Sequence, residues 1–296
     1  MRPMSLWESE ESNGSVSLST LFNTPTQIIA ENKLKLEDIA YLTCRGGWPR
    51  AVLQNPDISL ERAFDYLDAV VKNDISSVDG VRRDEQRARR IMRSYARHQG
   101  TQVSYSAIAL DIKNNEDSSV DERTVASYLN ILNKIYVIED VHAWNPNLRS
   151  KTAIRATDNR YFTDPSIATA SLGLGPSDLM NDLNTFGLMF ETLCMRDLRV
   201  FSNVIKGEVF HFRDKNGLEC DAVVHLRNGS YGLIEIKLGG DKLLEEGAKN
   251  LKTLVAKIDT EKMNAPSFMM ILTAVGPFAY RREDGIYVVP IGCLKD

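Results

Sequence analysis

The sequence predicts an α+β chain of several domains. Three observations predict it: apolar residues recur at helical spacing through the first half, two strand-like runs flank a basic loop near the middle, and the last third alternates strands with an amphipathic helix. A length of 296 residues suits two or three domains, because single cores cluster at ~100–150 residues. The boundaries we read are 1–82 for a mainly helical region, 83–165 for a helices-then-strands region, and 166–296 for an α/β region with a mixed central sheet.

The opening, RPMSLWESEESNGSVSLSTLF, is short and strand-like and then polar, unlike the start of a self-contained domain. LEDIAYLTCRGGWPRAVL (36–53) predicts a short helix and a Gly-Gly turn closed by Pro49. In 57–75, Leu60, Phe64, Leu67, Val70 or Val71, and Ile75 lie at helical spacing and predict one buried stripe.

EQRARRIMRSYARHQ is a basic helix stopped by Gly100. Ser104 caps a short helix running through Ile112. ERTVASYLNILNKIYV then carries Val125, Leu129, Leu132 and Ile135 or Tyr136 as an apolar stripe, and VIEDVHAW and RYFTD are strands flanking the basic loop NPNLRSKTAIRATDNR. Three helices followed by a two-stranded wing is the winged-helix arrangement. Its third helix can enter a major groove and its wing can touch phosphate, and the same arrangement also serves as a protein–protein spacer.

In the last third, NDLNTFGLMFETLCMRDLRVF is a long apolar helix, and VFHFRD, LECDAVVHL and YGLIEIKL are strands. DKLLEEGAKNLKTLVAKI is an amphipathic helix, followed by buried-looking strands in SFMMILTAV and GIYVVPI. The chain contains no internal repeat and no low-complexity tract.

Composition narrows the function classes. With 43% hydrophobic and 26% charged residues the chain is that of an ordinary soluble protein, and no apolar run suggests a membrane span or a signal core. Cys44, Cys194, Cys220 and Cys293 lie far apart with no CxxC pair, so a disulfide framework or zinc knuckle is not expected, and a reducing cytoplasm is. The net charge of −4 argues against a general basic coat. Residues 82–98 nonetheless carry seven arginines against two acids. That run reads either as a solvated helix face or as a phosphate-contacting one. On the second reading Arg89, Arg93 and Arg97, with Arg123 on the third helix and Lys151 in the wing loop, are the expected nucleic-acid contacts, and DNA is the favoured partner.

LECDAVVHLRNGSYGLIEIKLG (218–239) carries the chemistry. Strand side chains alternate, so Tyr231, Leu233, Glu235 and Lys237 share one face and Ile234, Ile236 and Leu238 the other. A two-residue Asn228-Gly229 turn would bury Asp221 alone among Ile234 and Ile236. A three-residue loop, Arg227-Asn228-Gly229 with Gly229 left-handed, instead sets Asp221 opposite Glu235 and gathers Cys220, Ala222, Val224, Leu226, Ile234, Ile236 and Leu238 on one apolar face. The loop Asn228-Gly229-Ser230 keeps that parity with Asp221 opposite Lys237. An unpaired buried charge costs several kcal/mol, so the register that collects the charges is the one expected. Two close carboxylates repel unless a hard cation such as Mg²⁺ sits between them, and Lys237 beside it can orient water or neutralise charge on a phosphate. Glu191, on an otherwise apolar or small-residue helix face, is a third acid that either points inward toward the sheet or pairs with Arg196 or Arg199.

Glu191 on a helix, Asp221 on a strand and Glu235-x-Lys237 on the next strand resemble the PD-(D/E)xK nuclease core, with Cys220 where a proline often precedes the Asp. The resemblance implies catalytic roles for Glu191, Asp221, Glu235 and Lys237, with metal held by Asp221 and Glu235. Lys249 and Asn250 lie where some members carry an auxiliary polar residue. More widely, RPMSLWESEESNGSVSL, RGGWPRAVL, YLDAVVKNDI, the winged helix, LECDAVV and GLIEIKLG resemble bacterial and archaeal AAA-type ATPases that carry a C-terminal domain of unknown function with a nuclease-like fold. RPMSL then resembles a late strand of the ATPase module and RGGWPRAVL its helical lid. No GxxxxGK[ST] occurs, and Gly-Gly-Asp-Lys at 239–242 is not a P-loop, so ATP binding and hydrolysis are not expected of this chain alone. A P-loop ATPase segment, upstream or separate, is the implied partner. The alternative to a nuclease is a catalytically silent nuclease fold kept for docking protein or DNA.

Overall fold

The computed structural model describes residues 2–24, 28–116, 118–145, 157–259 and 263–296. Lys151 and most of the wing loop lie outside them. The strands are β1 (Val16–Ser17), β2 (Ile29–Glu31), β3 (Ile138–Val141), β4 (Asn159–Phe162), β5 (Gly207–Arg213), β6 (Glu219–Leu226), β7 (Tyr231–Lys237), β8 (Phe268–Thr273), β9 (Phe278–Arg281), β10 (Tyr287–Pro290) and β11 (Leu294–Lys295). The chain divides into two compact units where three segments were expected from sequence. One contains Ala40–Asp140 and Asn159–Thr192, the other Arg2–Ile39, Val141–Asp158 and Leu193–Asp296.

The first unit is mainly helical. Its helices Glu85–Arg97, Tyr105–Asn115 and Glu122–Lys134 each start at an acid or serine, because Asp84, Ser104 and Asp121 accept the backbone N–H three residues on. That bond satisfies one of the donors a helix start leaves open. Ile91, Met92, Tyr95, Ile108, Ile112, Val125, Leu129 and Leu132 form the buried stripes. The last helix stops before Tyr136, which adopts φ 59° and is 75% exposed rather than completing the stripe. β3 and β4 pair beyond it. In the Pro56–Ala69 helix the buried positions are Ser59, Ala63 and Leu67, continued by Val70, Val71 and Ile75. Phe64, expected in that stripe, is exposed, because it lies one residue past Ala63 and so about 100° round the helix.

The second unit is built on a seven-stranded mixed sheet of order β2-β9-β10-β8-β7-β6-β5. Strands β7, β8 and β10 run parallel, and the remaining pairs are antiparallel. The Asp241–Lys257 helix connects the parallel pair β7 and β8, as a parallel connection requires. Its Ala248, Leu251 and Leu254 pack with Val223, Tyr231, Leu233 and Ile271 in one core cluster.

The N-terminal segment joins this unit. β1 pairs with β11, and β2 adds an edge strand on β9. RPMSL is not a strand: Arg2–Ser5 form no ladder, and a turn follows. The Leu6 N–H is anchored instead by the buried Asp197 carboxylate at 2.9 Å. Among the described residues no helix is long and apolar enough to cross a membrane.

Candidate functional site

The β6–β7 hairpin has the three-residue loop. His225 pairs with Tyr231 and Ala222 with Ile234, the Leu226 N–H donates to the Ser230 carbonyl at 2.8 Å, and Gly229 takes φ +89°. Counting on from these pairs sets Asp221 across from Glu235. The ladder itself ends at Ala222–Ile234, after which β6 stays with β5 and β7 stays with β8 as far as Lys237–Thr273. The strands therefore splay at Asp221.

The carboxylate fills the fork. The Ile236 N–H, which a continued antiparallel ladder would direct at the Cys220 carbonyl, donates to Asp221 Oδ2 at 2.6 Å. Lys237 Nζ lies 3.2 Å from that same oxygen and 2.8 Å from Glu235 Oε2. One ammonium thus bridges two carboxylates that face each other. Glu235 Oε1 is buried and meets no donor in full hydrogen-bond geometry, Asn250 being the polar side chain that faces the carboxyl.

The face carrying the charges is covered along most of its length: Val223, Tyr231 and Leu233 on it are fully buried. The Asp241–Lys257 helix covers it so closely that a Cβ on Gly247 would stand 3.4 Å from the Glu235 Cβ. Only the splayed end is partly open. Lys237 and Asp221 side chains are 18% and 17% exposed there, and Glu235 is 1% exposed.

Burial pushes the Glu235 carboxyl up to about 8, with Asp221 adding to the rise and Lys237 and Asn250 opposing it. Burial alone would lower the Lys237 ammonium, but Asp221 and Glu235 outweigh it and hold the pKa above the ordinary lysine range. The Cys220 thiol is raised well above its usual value by burial, then by Glu235 and Asp221. It is an inert neighbour, not a nucleophile.

Asn250 faces Glu235 from the covering helix, while Lys249 is exposed. Thr273, beside Lys237 on β8, was not singled out from sequence. Its Oγ1 is buried with no hydrogen-bond partner. The signal for it is faint: one hydroxyl at the end of the apolar run FMMILT, whose partner strand lies far away in sequence.

Glu191 lies in the first unit, where the Tyr161 hydroxyl donates to its carboxylate. The expected basic contacts divide. Arg89 pairs with Asp68 at 2.6 Å, Arg93 with Glu116 at 2.9 Å, and Arg97 with Asp111 at 2.6 Å and Glu116 at 3.2 Å. Arg123 is exposed. The arginine-rich helix spends much of its charge on its own unit.

Residues 36–178 are similar to a family described as a domain of unknown function, DUF8612. Residues 186–294 are similar to a second, described as a domain of unknown function, DUF4143. No curated protein matches the chain.

Proposed function

We propose that the hairpin is the centre of a Mg²⁺-dependent phosphodiesterase of PD-(D/E)xK type acting on nucleic acid. One observation carries the reading: Asp221 and Glu235 face each other across a splayed hairpin end, bridged by Lys237, and a buried Glu235 oxygen meets no donor in full hydrogen-bond geometry. Strands splayed around opposed acids leave hard oxygen donors where a structural hairpin would close its ladder.

The donor set fits Mg²⁺. Among the described residues no cluster of three His, Cys, Asp or Glu side chains is arranged to hold a metal, but Mg²⁺ commonly takes one or two carboxylates and completes its shell with water and substrate. Asp221 and Glu235 would hold it. When bound, the ion would polarise a phosphoryl oxygen and acidify water. Lys237 keeps its proton in this environment and so offers a fixed positive charge to a phosphate on which negative charge builds up.

Nucleic acid is the proposed substrate class, contacted by Arg123 and by a winged helix made of the three capped helices with β3 and β4. On this reading the chain works with a P-loop ATPase segment and is the counterpart of the C-terminal portion of AAA-type ATPases. The test is incubation with DNA and RNA in Mg²⁺ or Mn²⁺. Cleavage is expected from the native chain and not from Asp221→Asn or Glu235→Gln, and cleavage that survives Asp221→Asn overturns the reading.

A second reading, a silent fold kept for docking, is favoured by Lys237 itself, whose ammonium already pairs with both carboxylates where a metal would sit. Calorimetry separates the two. Heat of Mg²⁺ binding that Asp221→Asn abolishes supports the catalytic reading, and its absence supports docking.

A further inference from the structure

The Asp241–Lys257 helix starts after Leu238, Gly239 and Gly240, which link it to Lys237. Gly239 and Gly240 have φ +132° and +90°, a conformation glycine tolerates and L side chains resist. A Cβ on Gly239 would stand 2.9 Å from Val275, so the link rests on the chain that leaves β8 just past Thr273. The helix start has no side-chain cap, and its first backbone bond runs from Leu244 to Gly240. The N–H groups of Asp241, Lys242 and Leu243 therefore stand at the carboxyl ends of two parallel strands, where ligands of α/β sheets collect.

A helix start alone would decide nothing. A second observation points to an occupant. Thr273 pairs with Lys237 in parallel register, so the two side chains leave the sheet on the same face, the one the helix covers. Thr273 is 1% exposed, yet its hydroxyl has no partner. Buried hydroxyls without partners are rare because the desolvation is uncompensated. The first turn carries one charge of each sign, Asp241 and Lys242, so charge by itself favours neither occupancy nor vacancy. Asp241, exposed at the first helical position, opposes an anion.

We propose that the N–H groups at the start of this helix, together with the Thr273 hydroxyl, form a phosphate subsite beside the Lys237 centre. The proposal rests on the phosphodiesterase reading only for the carrier of that phosphate, a nucleic-acid strand. The subsite holds a phosphate next to the one attacked, either an internal phosphodiester or a terminal monoester. The Gly-Gly-Asp-Lys segment has neither the spacing nor the Ser or Thr of a P-loop, so nothing here implies nucleotide hydrolysis.

The experiment is an amide-resolved NMR titration of the whole chain with inorganic phosphate in EDTA. Removing metal keeps the result independent of hydrolysis. Shifts are expected at Lys242 and Leu243, weakened on the order of tenfold or more in Thr273→Val, preserved in Thr273→Ser and strengthened in Asp241→Asn. No shift at those amides, or shifts untouched by Thr273→Val, overturns the subsite. A short DNA strand is then used to displace the phosphate. Preference for a 5′-phosphorylated strand over its 5′-hydroxyl counterpart assigns a terminal phosphate, and equal displacement assigns an internal one. Failure of both strands to displace it overturns the nucleic-acid assignment. Phosphate binding by a chain that cleaves nothing would sink the phosphodiesterase reading and leave the subsite standing.

Discussion

Asp221 Oδ2 receives the Ile236 N–H at 2.6 Å in place of a backbone carbonyl, so one carboxylate both ends the β6–β7 ladder and anchors Lys237. Asn at this position retains an acceptor for Ile236, whereas Ala removes the acceptor and leaves Lys237 paired with Glu235 alone. Asp221→Ala should therefore cost about 2–3 kcal/mol and Asp221→Asn about half of that. Chemical denaturation of both variants checks the order. Equal losses would show that the fork does not depend on the Asp221 acceptor.

Lys237 is the positive charge that the two facing carboxylates share in their ion pairs. Lys237→Met should cost about 3–5 kcal/mol, as expected when one member of a buried ion group is removed. Added Mg²⁺ should restore part of that stability, raising the melting temperature of the variant more than that of the native chain. A variant indifferent to Mg²⁺ would mean that the carboxylates cannot take a cation.

Glu235 sets a pH dependence whose sign follows from its raised carboxyl. The folded pKa of about 8 lies above the ordinary value of 4.5, so folding favours the protonated form. This contribution is complete below the unfolded value and fades as pH climbs through the folded one. In metal-free buffer the melting temperature should fall from pH 5 to 8, and Glu235→Gln should flatten that fall. Parallel profiles for the two proteins would place the titration elsewhere.

Gly229 carries the register at φ +89°, with open space around the position of a Cβ. Gly229→Ala should therefore cost about 1 kcal/mol from backbone conformation alone. Proton exchange across the hairpin should keep the native pairing, and a changed pattern would show that loop and register are independent.

The arginines are expected to separate in a salt-dependent mobility-shift assay with DNA. Arg97 is committed to Asp111 and Glu116, so Arg97→Ala should lower stability by roughly 1 kcal/mol and leave binding nearly unchanged. Arg123→Glu, at an exposed position, should weaken binding and reduce the salt slope by about one. The reverse ranking would move the contact surface to the arginine-rich helix.

Local chemistry was readable from the chain without coordinates. The Ser104 cap, the long apolar helix and the alternation that sets Asp221 and Glu235 on one face depend on neighbours within a few residues, where period and propensity act directly. Even the bulged loop followed, because the competing register buried a lone carboxylate. What required the tertiary structure was everything resting on distant partners. The Arg2–Ile39 segment joins the C-terminal unit through β2 on β9, β1 on β11 and the Leu6 N–H on Asp197. The charged hairpin face is buried because a helix that follows it folds back with Gly247 against Glu235. Thr273 meets Lys237 through parallel pairing across a helix, and Arg89, Arg93 and Arg97 find their acids elsewhere in the unit. Period and charge specify what a side chain can pair with. Only the packed chain decides which pairing removes it from water.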